Sequence, residues 1–202
     1  MGSGRTRCVP GSDRAVGGRD DDPVTSRLFV AVWPDDTARG PLAEAVDSAR
    51  LVAPEVRWQA PERWHITLAF LGPADPARAS AQIAAVLARS DVGPPQPVRL
   101  SGAGTFGPVL WVGVEHGAWL ARLAGQLQSA LHVHDQRFRA HVTVGRVRGN
   151  DGSALARAAV PLLADHHGPA WIPSRITMVE SRTGPHPEYR ILEEWPLVLP
   201  TH

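Results

Sequence analysis

Cysteine occurs once, as Cys8, so no internal disulfide can staple this chain. Neither Cys-x-x-Cys nor His-Glu-x-x-His occurs, which removes the common zinc frameworks. No apolar run approaches the roughly 20 residues of a membrane helix, and the N-terminus carries no apolar signal core. Neither charge sign dominates. With 21 basic and 20 acidic residues the net charge is +1, which excludes a broad electrostatic footprint for duplex nucleic acid. Any nucleic-acid contact must therefore be local. The Gly-rich segment Ser101–Pro108 lacks Gly-Lys-Ser/Thr and no helix is expected directly after it, so it is no phosphate loop. These absences describe a soluble cytoplasmic protein, a monomer that calls for no metal and no cofactor. Its 202 residues suit one domain or two small lobes sharing a core.

What is present is a repeated stretch. Trp64-His65-Ile66-Thr67-Leu68-Ala69-Phe70-Leu71-Gly72 has an echo in Phe138-Arg139-Ala140-His141-Val142-Thr143-Val144-Gly145-Arg146. Each holds His-x-Thr in an apolar strand. Side chains alternate between the faces of a strand. So His65 and Thr67 share one face, and Ile66, Leu68 and Phe70 are expected on the other. His141 and Thr143 stand likewise against Val142 and Val144. A lone His-x-Thr is an ordinary half-exposed strand; two copies in apolar strands point to a site.

The rest of the chain alternates strand and helix. Residues 1–26 are rich in Gly, Arg, Asp and Ser without an apolar period, and read as a disordered extension. Residues 27–200 read as one bilobal domain. Leu28–Trp33 is a continuous apolar run, expected as a central strand buried on both faces. Helices are expected from Pro34-Asp35 to about Leu51, from Asp75 or Pro76 to about Arg89, from Ala118 to His132, and from about Ser153 to Leu163. Val56-Arg57-Trp58 is a short strand. Val98–Leu100 and Leu110–Val114 are expected as strands joined by the Gly-rich segment. Arg175–Ser181 and Tyr189–Leu199 close the chain as strands joined by Thr183-Gly184-Pro185-His186-Pro187. The order predicts an α+β fold of two pseudo-symmetric lobes. Each is a small, mainly antiparallel sheet backed by helices, and the motif strands face each other across a central cleft.

Two imidazoles facing one cleft can serve as acid and base together near neutral pH. Phosphodiester cleavage needs both: a base for the attacking oxygen and an acid for the leaving oxygen. Threonine hydroxyls beside them can donate to non-bridging phosphate oxygens, where charge builds up. Two other histidine groups, His132-Val133-His134 and His166-His167, lack an accompanying ligand cluster and read as exposed helix-end or loop residues. Phe29, Phe106, Trp111 and Tyr189 are either packing residues or a stacking surface for a base.

The motif strands, with Arg27-Leu28-Phe29-Val30-Ala31, Leu110-Trp111-Val112-Gly113, Glu180-Ser181-Arg182 and Tyr189, resemble the two-histidine phosphoesterase superfamily. The specific likeness is to RNA 2′,3′-cyclic phosphodiesterases, the 2′-5′ RNA ligase-like family, over about Arg27 to Leu199. The resemblance implies His65 as proton donor, His141 as proton acceptor, Thr67 and Thr143 as phosphate-binding residues, and Arg146 as a substrate contact. It implies an RNA 3′ end bearing a 2′,3′-cyclic phosphate as partner, a 2′-phosphate product, and 2′-5′ ligation as the reverse type of reaction. Sister activities on ADP-ribose cyclic phosphate or 2′-5′ oligoadenylate stay open, as does a non-catalytic RNA-binding module. Ala140 stands where the family commonly has proline. By strict alternation Arg146 points away from His141; a bulge at Gly145 would turn it back.

Overall fold

The computed structural model describes residues 25–89, 93–133, 137–183 and 188–197. In chain order come β1 (Thr25–Val32), α1 (Asp36–Val52), β2 (Arg57–Trp58), β3 (Ile66–Gly72), α2 (Pro76–Leu87), β4 (Val98–Phe106) and β5 (Val109–Glu115). There follow α3 (Ala118–Ala130), β6 (His141–Arg146), α4 (Gly152–Ala159), α5 (Pro161–Ala164), β7 (His167–Trp171), β8 (Arg175–Thr183) and β9 (Glu188–Pro196). The expected extension lies outside the described residues, except that Thr25 and Ser26 already belong to β1.

The strands form two antiparallel sheets, one in the order β3-β1-β8-β9 and the other β2-β6-β5-β4-β7. The expected α+β architecture of two helix-backed antiparallel sheets is observed. The lobes are not, however, the two halves of the chain. α1 follows a strand of the first sheet and packs on β7 and β4 of the second, while α3 follows β5 of the second sheet and packs on β3 of the first. β2 likewise leaves its neighbours in sequence to border β6. This exchange runs one continuous core through both lobes, from Leu28, Val30 and Ile66 to Leu110, Val142 and Leu163.

Local signals explain the helices. Asp35 caps α1 by accepting from the Ala38 N–H at 3.0 Å, and Asp75 caps α2 by accepting from Ala77 at 2.9 Å, with Pro76 in the first turn. Ala38, Leu42, Val46 and Ala49 form the buried stripe of α1.

Four expectations need correction. The Gly-rich segment is strand: β4 runs unbroken to Phe106, and only Gly107-Pro108 turns the hairpin. Gly104 belongs there because a Cβ would stand 2.3 Å from the Trp111 ring. The fourth helix is two pieces, since Pro161 has no N–H to continue the ladder. β7 was not expected at all; Gly168 and Pro169 hide it, yet it pairs with β4 as the sheet's edge. Finally, Phe70 is not on the core face. Thr67 pairs with Ala31 and Ala69 with Val30, so Leu68 is the extra residue of a bulge. Phe70 therefore returns to the face of its partner Phe29 and is 41% exposed. Gln128 stabilises the irregular backbone by donating to the Leu68 carbonyl at 2.8 Å.

Candidate active site

Each histidine is held by the residue two before it. The turn Pro61–Arg63 brings the Arg63 carbonyl to 2.7 Å from His65 Nδ1, and the Arg139 carbonyl stands 2.7 Å from His141 Nδ1. A carbonyl only accepts, so Nδ1 carries the proton in both rings. In the neutral state each ring then keeps its lone pair on Nε2, the atom free for a substrate. Trp64, fully buried between Arg63 and His65, anchors the first loop.

Aromatic side chains wall both rings. His65 stacks on Phe29 with centroids 4.9 Å apart and meets Trp33 at 5.1 Å and Tyr189 at 5.6 Å. His141 meets Phe106 edge-on at 5.0 Å and Trp111 at 6.2 Å. An arginine tops each wall. The Arg63 guanidinium lies 4.7 Å above Tyr189, and that of Arg139 lies 4.3 Å above Trp111. Both copies therefore read Arg-x-His-x-Thr, not His-x-Thr alone. The two arginines were legible in the sequence as a second repeated feature, but His-x-Thr carried no reason to look upstream.

Burial is the main reason that the His65 pKa falls from 6.5 to about 4; its hydrogen bond to the Arg63 carbonyl opposes the fall, and the charges of His141 and Arg63 add to it. His141 is lowered too, again chiefly by burial, against its bond to Arg139 and with the Arg139 charge adding. The two imidazoles are thus within electrostatic reach of each other, and β3 and β6 touch across the two sheets. Both rings are pushed toward the neutral form when the cleft holds no anion.

Register locates the remaining candidates. Thr67 opposes Ala31, on the face of Phe29, and Thr143 opposes Trp111. Gly145 pairs with Leu110 and Thr143 with Trp111, which leaves Val144 as a bulge. Arg146 then opposes Val109 and shares the face of Trp111 and Thr143. The extra residue reverses the alternation and turns Arg146 to the cleft side. A recess of about 310 Å³ opens beside Trp111 and Arg139 on this sheet. A recess of about 520 Å³ lies elsewhere, lined by Arg89 just past α2 and by α3 residues such as Arg122 and Gln126, and holds none of the motif residues.

The other histidines stand apart. His167 lies on β7, with Nδ1 3.1 Å from Ser101 Oγ, whose hydroxyl donates to Glu115 at 2.8 Å. His132 lies in the turn just past α3 with a φ of 53°, and His134 is outside the described residues. Among the described residues no group of three or more His, Cys, Asp or Glu is arranged to hold a metal ion. Among them, too, no helix is long and apolar enough to cross a membrane.

A sequence profile of the 2′-5′ RNA ligase superfamily matches residues 34–185. The chain belongs to that superfamily. Among superfamily relatives, it is 35% identical over 133 residues to an RNA 2′,3′-cyclic phosphodiesterase of Archaeoglobus fulgidus, covering 60% of this chain and 73% of that protein. It is 30% identical over 132 residues to the Thermotoga maritima protein of the same name, covering 60% and 70%. Its fold is similar to E. coli LigT complexed with ATP, at a TM-score of 0.64 and 22% identity over 87% of this chain and 99% of that one. A protein of Thermus thermophilus gives a TM-score of 0.64 at 24% identity, over 85% and 97%. At these identities the two structures speak for the superfamily fold alone.

Proposed function

We propose that this chain, acting through one bilobal domain of residues 27–200, hydrolyses RNA terminal 2′,3′-cyclic phosphate to a 2′-phosphate end without a metal ion. The observation that carries the reading is the matched pair of imidazoles, each held at Nδ1 by the carbonyl two residues before it, on strands β3 and β6 that touch across the two sheets. The two relatives named RNA 2′,3′-cyclic phosphodiesterase support the substrate.

In the proposed reaction, water attacks phosphorus while His141 Nε2 takes its proton. The bond from phosphorus to the 3′ oxygen breaks, and protonated His65 gives that oxygen its proton. Thr67 and Thr143 donate hydrogen bonds to the non-bridging oxygens, where charge grows. A 5′-hydroxyl in place of water, giving its proton to His141 as the bond from phosphorus to the 3′ oxygen breaks and His65 protonates that oxygen, would form a 2′-5′ linkage.

His65 needs a proton that burial disfavours. The negative phosphate supplies the compensation, since a nearby anion raises an imidazole pKa. Substrate binding and charging of the acid are thus one event.

The direct test is product analysis of an RNA oligonucleotide ending in 2′,3′-cyclic phosphate. The expected product is a 2′-phosphate, formed equally well in EDTA because two imidazoles supply acid and base. Activity lost on chelation and restored by a divalent ion would sink the metal-free mechanism. Cleavage of ADP-ribose cyclic phosphate or 2′-5′ oligoadenylate in preference would assign a sister activity.

Arg146→Ala is expected to act mainly on binding. Losing a charge-assisted phosphate contact of roughly 1.5–3 kcal/mol raises KM about ten- to a hundredfold, with a smaller change in kcat. Unaltered kinetics would mean that Arg146 touches only solvent.

A further inference from the structure

The bulge that turns Arg146 to the cleft brings a second arginine with it. β2 pairs with β6 so that Arg57 stands directly opposite Arg146, while Trp58 opposes Gly145. Trp58 is half-buried, and its Nε1–H donates to the Ala53 carbonyl at 3.1 Å. Alternation then sends Arg57 to the other side, the face of Arg146, Val109 and Trp111. Both arginines are exposed, and no salt bridge among the described residues involves either.

Two like charges directly across a strand pair repel. Their placement is also sterically specified. A Cβ on Gly145 would come within 2.5 Å of Val56 Cγ1, so only glycine there lets β2 close on β6. Charged residues do guard sheet edges against unwanted pairing. That role asks for any charge on the edge, not for two cations side by side on the cleft face. From Thr143, Arg57 is one strand over and three residues along β6, one of them the bulge, roughly 8–11 Å in strand geometry.

We propose that Arg57 and Arg146 together form a clamp for an internal phosphodiester of the RNA, the linkage preceding the terminal nucleotide. This rests on the reading of His65 and His141 as the site of the terminal cyclic phosphate. It makes the preferred substrate an oligonucleotide, with the strand leaving the cleft over the β2–β6 edge. It also gives Arg57, which the motif does not include, a specificity role: it distinguishes a polymer end from a mononucleotide.

The test compares a hexanucleotide ending in 2′,3′-cyclic phosphate with a mononucleoside 2′,3′-cyclic phosphate. Wild-type kcat/KM is expected to favour the hexanucleotide, and Arg57→Ala to shrink that advantage about tenfold, through KM. Arg57→Lys, which keeps the charge, is expected to recover part of the loss. Binding of a fluorescent hexanucleotide ending in 2′-phosphate gives a readout that needs no turnover. Its log–log salt slope is expected to fall by about 0.7 in Arg57→Ala, the value for one lost contact to a single strand. An unchanged length advantage, or an unchanged slope in a variant with wild-type circular dichroism, overturns the clamp. If Arg57→Ala does not fold, the same two measurements on Arg57→Gln decide. Failure of the wild-type protein to cleave either substrate would refute the proposed reaction, while the salt slope would still judge the clamp.

Discussion

His65→Ala and His141→Ala are each expected to lower kcat on the natural substrate by about 10²–10⁴-fold, the usual contribution of a positioned acid or base. The double variant is expected to cost far less than the product of the single losses, because acid and base act on one transition state as a unit. The pH profile of the pair is a bell whose flanks belong to both groups, so it cannot assign the roles. A substrate with a very good leaving group can. Such a leaving oxygen needs little protonation, so it should rescue the variant that lacks the acid. Rescue of His65→Ala, with His141→Ala still inactive, is the expected result. Rescue of His141→Ala would reverse the roles. Near-normal rates in both single variants on the natural substrate would remove these residues from catalysis altogether.

The depth at which the sequence could be read differs between strand chemistry and strand partnership. Period-two alternation brought His65 beside Thr67 and His141 beside Thr143 correctly, because a face is set by the strand itself. It misplaced Phe70 because the Leu68 bulge exists only relative to β1. Arg146 shows the same limit. Gly145 hinted at a bulge, but its position at Val144 depends on β5. Membership of the lobes was hidden for a larger reason. α1 and α3 cross to the opposite sheets, and no local propensity encodes a partner so distant in sequence. Arg63 and Arg139 were the opposite case: they stand two residues before each histidine, and their roles became visible only when their carbonyls and guanidinium groups had geometry.

The electrostatics of His65 lead to a second measurable effect, on stability. Burial holds its pKa at about 4 in the folded protein, against 6.5 for an ordinary imidazole. Between those values the unfolded chain binds a proton that the folded protein refuses. Stability therefore rises with pH through this window. The contribution is fully present above about 6.5 and is lost as pH falls toward 4. A shift of this size corresponds to at most ~3 kcal/mol. His141, also lowered by burial, acts with the same sign. Carboxylates weaken the fold in acid too, so the informative quantity is a difference. Between these pH limits the wild-type protein is expected to lose up to ~3 kcal/mol more unfolding free energy than His65→Gln, whose amide does not titrate in this range. Parallel denaturation curves for the two proteins would show that His65 titrates normally. The same linkage reaches the mechanism. A group that resists protonation in the free cleft, and must be protonated to act as an acid, has to take up its proton when the phosphate arrives. Titration calorimetry of a 2′-phosphate nucleotide in buffers of different ionisation enthalpy should therefore report net proton uptake near neutral pH, and His65→Gln should abolish most of it. Binding without proton uptake would mean that the anion leaves His65 neutral, and another group would have to protonate the leaving oxygen.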